Sequence, residues 1–460
     1  MTAAADTPPP DPEALLRSPD YVRLLVLAAL IGVPVSAIAY GFLKLVGVVS
    51  DLVFDDVPDA LGFASPPVWW PLPLLMLSGL LVGLAIRALP GTGGHSPADG
   101  FHPAGPVPPA QLPGIMLAAL GTLGFGIVLG PEAPLILIGS GLGVVAVRLA
   151  ARDAPPAAAA MIAAAGSFAA IASLLGSPLL GAFLLLEASG LGGAMLGLVL
   201  VPGLLAAGIG TLIFIGLDSL TGFGTFSLAL PGLPAFEHPT GAMFLWALAF
   251  GVAATVVGRG ISLLALAVRP HVERRMLVVM PVLGAVIAAL AIGFGEATDH
   301  PASTVLFSGQ DALPTLVGEA ASWSTGALVL LIVCKGLAYA LSLSAFRGGP
   351  VFPAMFIGAA AGIALADAPG LELVPAVAMG IGAMCTVMLR LPLTATMLAT
   401  LLLGTDGLAA MPVVIVAVVV AHVVTARVTP IPASPRADDD GHASPHGAST
   451  VTEATTRGSR

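Results

Sequence analysis

The sequence predicts an all-α protein that crosses the membrane many times, and three observations carry that class. Charged residues fill 9 % of the 460 positions and hydrophobic residues 57 %, against about 25 % charged in a soluble domain. Apolar runs succeed one another from about Leu24 to Val428, about fourteen in all, and mean hydropathy is +1.00. Finally, 56 glycines beside 5 % aromatic residues fit helices packed through small residues rather than a barrel girdled by aromatics.

Residues 1–20 form a polar, proline-rich N-terminal segment without the basic stretch, short apolar core and cleavage site of a signal peptide. The membrane domain is expected over 21–428, its first half about 21–217 and its second about 240–428. The clearest runs are 24–49, 71–89, 112–130, 157–175, 191–217, 242–268, 276–293, 326–346, 373–389 and 409–428. A full crossing takes about 20 apolar residues. The runs 132–147, 178–188 and 350–366 are shorter or interrupted by Gly and Pro. Non-helical backbone at membrane depth is tolerated only where protein buries it or it lines a cavity, so broken helices are expected around a site. The polar tail 429–460, with Asp438, Asp439 and Asp440, is expected to be disordered and is too short for an attached regulatory domain.

Arg17 and Arg23 precede the first span, and Asp51, Asp55, Asp56 and Asp59 follow it, which puts the N-terminus in the cytoplasm. Trp69 and Trp70 read either as an interfacial anchor or as ordinary packing.

Composition excludes several functions. The only lysines, Lys44 and Lys335, lie in no Walker A loop. The 17 basic residues, against 26 acidic ones, are scattered singly and leave no footprint for nucleic acid. Cys334 and Cys385 lie in apolar runs and read as packed thiols rather than a disulfide or a metal site. The eight histidines show no metal-ligand spacing. No metal and no cofactor are expected.

An internal repeat organises the chain. Gly130-Pro131-Glu132-Ala133-Pro134 followed by Ile138-Gly139 recurs as Gly349-Pro350-Val351-Phe352-Pro353 followed by Ile357-Gly358, at an offset of 219. Pro178-Leu179 and Pro392-Leu393 follow the two copies, each with a glycine twelve residues earlier, Gly166 and Gly380. Broken hydrophobic segments in corresponding halves point to a transporter-like architecture with its site at their interface.

The 130–134 segment suits an anion. Gly130 lets the backbone approach a ligand, and Pro131 suits the start of a helix, where its missing N–H would be unsatisfied anyway. The helix propagating from Pro134 then points free N–H groups and its positive dipole end back toward Glu132. One dipole contributes only about 0.3–2 kcal/mol, too little to dehydrate an ion. Several helix ends must therefore converge, with 349–353 as the obvious partner. Glu132 is the only acid between Asp99 and Asp153, and a mid-membrane carboxylate costs about 2.5–3.5 kcal/mol. It reads as a group that occupies the anion site when ionised and vacates it when protonated, or as a helix cap with no gating role.

These residues carry a family resemblance. Gly-Pro-Glu-Ala-Pro at 130–134 is similar to the G-R-E-G-P motif of the CLC chloride channels and exchangers, and Arg347-Gly348-Gly349-Pro350-Val351-Phe352-Pro353 to their G-G-x-F-x-P. Arg390-Leu391-Pro392-Leu393-Thr394 resembles R-A-P-L-T, and Ser177-Pro178-Leu179-Leu180-Gly181 resembles A-P-L-A-G. Gly91-Thr92-Gly93-Gly94-His95-Ser96-Pro97 falls where the family has G-S-G-I-P. The motifs come in family order across essentially the whole membrane body.

The resemblance implies a CLC-type fold, an inverted repeat of two halves with many tilted and half-spanning helices. It also implies a homodimer in the cytoplasmic membrane, with one anion pathway per subunit. Glu132 becomes the gating glutamate. Gly94, Gly130, Ala133, Gly349, Val351 and Phe352 become the anion-binding positions, and chloride or a similar anion the transported ligand. In the family's exchangers protons are a second partner.

This chain also departs from the family. The pore serine falls on Gly94, with Thr92 and Ser96 as substitutes. Pro350 has no N–H, which leaves Val351 and Phe352 as donors. The pore tyrosine has no counterpart, since the last tyrosine is Tyr339. The internal glutamate of the exchangers falls on Ala188, one residue after Glu187.

Glu187 is the only ionisable residue from Ala157 to Leu217. It is a candidate for a proton path, or a residue that pairs or faces a vestibule. Lys335, Arg347 and Arg390 either raise anion concentration in vestibules or neutralise buried acids and snorkel. His95 reads as a group titrating near neutral pH or as a locally bonded loop residue. The function expected is transport of chloride or a similar small anion, with passive conduction ahead of proton exchange because the internal proton position holds alanine. An intramembrane enzyme would need H-E-x-x-H, a G-x-S-G-type serine motif or an acid dyad, and none is evident. A mere scaffold leaves the repeated Gly/Pro breaks unexplained.

Overall fold

Ser18 opens the first helix: its Oγ accepts the Tyr21 N–H at 3.1 Å, and Pro19 takes the first helical position, where no N–H partner is needed. The same proline start recurs at Pro71, Pro156, Pro178 and Pro392. The structure, a computed structural model, describes residues 17–101, 105–150, 155–175, 177–190, 194–222, 230 and 233–428. The tail expected at 429–460 and most of the expected N-terminal segment, 1–16, lie outside the described residues.

The first half contains α1 (Pro19–Asp51), α2 (Pro71–Ala88), α3 (Leu112–Leu123), α4 (Glu132–Ala150), α5 (Pro156–Leu174), α6 (Pro178–Ser189) and α7 (Ala194–Thr221). The second contains α8 (Gly241–Arg274), α9 (Met276–Thr298), the short α10 (Leu313–Gly318), α11 (Thr325–Ala345), α12 (Val351–Leu365), α13 (Leu373–Leu389), α14 (Pro392–Leu402) and α15 (Gly404–Val428). Among the described residues, 8 helices are long and apolar enough to cross a membrane: α1, α2, α4, α7, α8, α9, α11 and α15. The shorter α3, α5, α6, α12, α13 and α14 are apolar as well. Of the runs read as broken, 178–188 and 350–366 are such short helices. The run 132–147 extends instead into a 19-residue helix, because the apolar pattern continues to Ala150 past the single cation Arg148.

Packing repeats between the halves. α4 crosses α5 as α12 crosses α13, and in both places two glycines bring the backbones together. A Cβ on Gly139 would strike the Gly166 carbonyl and one on Gly166 the Gly139 carbonyl; Gly358 and Gly380 stand in the same reciprocal relation. α1 packs on α7 and α5, as α8 packs on α15 and α13. The halves meet through α2 and α9, where a Cβ on Gly79 would strike the Met280 backbone and one on Gly284 the Leu75 backbone. Such reciprocal contacts are the mark of a two-fold relation, here between the two inverted halves of one chain.

Burial separates core from rim. α13 is apolar all round, and 16 of its 17 residues are buried. α8 instead shows large apolar side chains outward, Leu245 and Val256 each at 69 % exposure. With 8 candidate spans among the described residues, the protein is a multi-pass membrane protein. Trp70 is packed, its Nε1–H donating to the Val53 carbonyl at 2.9 Å, while Trp69 stays exposed. Cys334 and Cys385 are buried free thiols.

Candidate functional site

The two copies of the repeated motif meet. The Gly130 N–H donates to the Gly349 carbonyl at 2.8 Å and the Gly349 N–H to the Gly130 carbonyl at 2.6 Å. This antiparallel bridge is the only β pairing among the described residues. It sets the N-terminus of α4 beside that of α12, so two helix ends converge as the dipole argument requires.

Glu132 begins α4 and is fully buried. Its Oε1 accepts the Val351 N–H, the first amide of α12, while its Oε2 has no hydrogen-bond partner among the described residues. The bond joins equivalent positions of the two repeats, 219 residues apart. A Cβ on either Gly130 or Gly349 would collide with this carboxylate, so the site needs glycine at both places.

The expected anion-binding residues divide into three groups. Gly130 and Gly349 spend their amides on each other, and Val351 spends its own on Glu132. Phe352 is buried in the first turn of α12. Ala133 lines a 270 Å³ cavity with Ser96, Gly348 and Pro350, and Gly94 lines a 530 Å³ cavity with Thr92 and Arg269. The two cavities share His95, Ser96, Asp99, Leu137 and Arg347, so they form one approach to the helix ends. Gly94 has φ 95°, which favours glycine there over the family's serine. Ser96 is the hydroxyl that shares a cavity with Ala133.

The approach holds two cations and two acids, Arg269 and Arg347 beside Asp99 and Glu273. Arg269 pairs with Asp99 and, at 2.7 Å, with Glu273. Arg347 donates to the carbonyls of Thr92 at 3.1 Å and Phe346 at 3.2 Å, and among the described residues no carboxylate forms an ion pair with it. Arg390 is exposed and ends α13 in the left-handed region.

Glu187 is remote from this cluster in role. Its carboxylate accepts the Leu393 N–H at 2.8 Å, the Thr394 N–H at 2.7 Å and the Thr394 hydroxyl at 2.7 Å. It thereby caps α14, whose own N-cap residue, Leu391, has no side chain able to do so.

Tyr339 is the site residue that sequence reasoning missed. It lies on α11, fully buried, and its hydroxyl donates to the Pro350 carbonyl at 2.9 Å. Pro350 brings no donor, but its carbonyl is fixed in place, and with it the amide that follows. A buried tyrosine needs an acceptor, and a lone tyrosine 11 residues before Pro350 in an apolar helix was the available signal.

Comparison with known proteins shows the family and the fold. Residues 78–426 match the family described as Voltage gated chloride channel. A protein of Escherichia fergusonii named "Putative ion-transport protein YfeO" is 30 % identical over 375 residues, covering 81 % of this chain and 84 % of its own. The protein of that name in Escherichia coli (strain K12 / DH10B) has the same identity and coverage. Among solved structures, a slow cyanobacterial Cl⁻/H⁺ antiporter superposes with a TM-score of 0.72 at 20 % identity, covering 87 % of this chain and 95 % of that one. A CLC-type fluoride/proton antiporter gives 0.61 at 20 % identity, covering 88 % and 95 %. With its family match, its relatives and its inverted repeat of helices, this chain belongs to the voltage-gated chloride channel (CLC) family.

Proposed function

We propose that this protein moves a small inorganic anion, chloride in the first instance, across the cytoplasmic membrane, with the Glu132 carboxylate as gate. One observation carries the reading: a fully buried carboxylate sits on the first amide of α12 where two helix N-termini converge. A carboxylate oxygen there stands where a permeating anion would be received, so an ionised Glu132 competes with the anion and a protonated one yields to it. Arg347 is the cation of the approach with which no described carboxylate forms an ion pair, and it supports the reading as a charge an entering anion can meet.

Passive conduction is the transport mode this chain's acids favour. Glu187, the one acid near the internal proton position, is engaged by three hydrogen bonds at the end of α14, and Ala188 cannot ionise. Proton exchange is the second reading, favoured by two structural neighbours that are proton antiporters. Glu132 meets a backbone N–H rather than a second acid, which speaks against a catalytic dyad.

Proteoliposomes loaded with chloride, nitrate or fluoride in turn test the proposal. Anion flux above that of empty liposomes is expected, and its absence for all three ions sinks the reading. Uphill proton movement driven by a chloride gradient selects exchange over conduction. Crosslinking in the same membranes reports the homodimer that family membership leads us to propose.

A further inference from the structure

Lys335 is a buried charge that the gate described above does not use. It lies in the middle of α11, within a candidate span, and is fully buried. Neither role offered by the sequence fits it: among the described residues no carboxylate forms an ion pair with it, and its ammonium reaches no surface. Its Nζ donates instead to four consecutive backbone carbonyls, those of Thr304 at 3.0 Å, Val305 at 3.1 Å, Leu306 at 3.0 Å and Phe307 at 3.3 Å. The Phe356 ring centre is 4.4 Å from the same nitrogen. An ammonium has three N–H donors, so four acceptors share them. A shell of carbonyl oxygens closed by an aromatic face is what a dehydrated monovalent cation takes.

The cage joins three parts of the molecule. Its carbonyl side is irregular backbone: a single 3-10 turn at Ala302–Thr304 leads to Phe307, which has φ 57°, an uncommon value for a bulky residue. Phe307 is further tied by its N–H to the Gly126 carbonyl at 2.9 Å. Thr304, Leu306 and Phe307 also line an 870 Å³ cavity. The aromatic side, Phe356, lies on α12, five residues past the Val351 amide that holds Glu132. Gly309 makes room for that ring, since a Cβ there would meet Phe356 Cδ2 at 2.6 Å.

We infer that Lys335 is a positioning residue, a tethered monovalent cation that holds the Thr304–Phe307 carbonyls and, through Phe356, the helix end that receives Glu132. The cage it fills is a site for free cations of ammonium or potassium size once the side chain is shortened. The effect on flux rests on the proposed gate at Glu132; cation binding by the cage does not.

The test uses full-length Lys335→Ala, melted in detergent and assayed in proteoliposomes with methylammonium, potassium or Tris as the cation. In Tris a lowered melting midpoint is expected, with anion flux down about tenfold or more, as misplaced site groups produce. Methylammonium, and to a lesser degree potassium, raises the midpoint saturably and restores both flux and its pH dependence. Lys335→Met, whose apolar chain occupies the space, is expected to be impaired and insensitive to the cation. Equal melting of Lys335→Ala in all three cations, or equal rescue of Lys335→Met, overturns the inference. If Lys335→Ala folds only when purified with methylammonium or potassium the inference is supported; failure to fold in every cation overturns it. Cation-dependent melting without anion flux in the wild type would leave the cage standing and remove the gate.

Discussion

Gly130 and Gly349, the same residue in two copies of one motif, donate their N–H groups to each other's carbonyls at 2.8 and 2.6 Å. The pairing consumes amides that the sequence reading offered to the anion, and in exchange it locks two helix ends side by side. The amide that then meets Glu132 is the next free one, Val351, because proline at 350 has none to give. The contact proposed as the gate thus follows from a glycine pair, a proline and a glutamate in the two copies of the repeat.

Glu132→Gln is expected to make anion flux independent of pH. On the proposed gate, protonation in the wild type removes the charge that holds Oε1 on the Val351 amide, so flux is expected to rise as pH falls. A neutral amide side chain loses that charge-assisted hold, worth about 1.5–3 kcal/mol, so flux at neutral pH rises about tenfold or more. Efflux from proteoliposomes at acid and neutral pH measures it. A wild-type pH response in the variant would remove Glu132 from the gate.

Gly349→Ala acts on the same carboxylate by steric means. The added Cβ overlaps Glu132, so the side chain leaves the amide and neutral-pH flux approaches that of Glu132→Gln. Because both changes act through one contact, the double variant is expected to gain nothing further. Additive gains would show that the two residues act separately.

The crossing glycines predict paired instability. Gly139→Ala and Gly358→Ala each push a methyl group into the carbonyl of the opposed glycine and should cost about 1–3 kcal/mol or more. Gly216→Ala, with nothing within 4 Å of its Cβ, should be neutral or stabilising by about 1 kcal/mol. Melting midpoints in detergent rank the three, and a destabilised Gly216→Ala beside an intact Gly358→Ala would contradict the packing.

Glu187→Ala removes the cap of α14 and is expected to cost about 1–2 kcal/mol. Glu187→Gln keeps an acceptor oxygen and recovers part of that. Neither should change the ratio of protons to anions moved. A changed ratio at unaltered stability would return Glu187 to a proton path.

Tyr339→Phe leaves the buried Pro350 carbonyl without its donor, which should cost about 1–3 kcal/mol. The freed backbone before Val351 should also weaken anion binding, measured by calorimetry with chloride. Unchanged affinity would make Tyr339 purely structural.

Much was legible in the sequence because the signals are local. Apolar run length marks the spans, proline at a helix start marks α6 and α14, and the repeated motif named Glu132 and Val351 together. Tyr339 and Lys335 were not legible in role. Each sits mid-helix among apolar neighbours, and its partner lies on another segment: Pro350 for one, four carbonyls of 304–307 for the other. Glu187 escaped for the same reason, since its acceptor role depends on α14, more than two hundred residues away.

By itself the sequence determined that this chain is a helical membrane protein with two related halves, because hydropathy and motif recurrence are written residue by residue. Only the tertiary structure decided which amides are spent on each other and which one is left to meet a carboxylate. Backbone donors look alike in any sequence, and their partners exist only when distant segments are brought together.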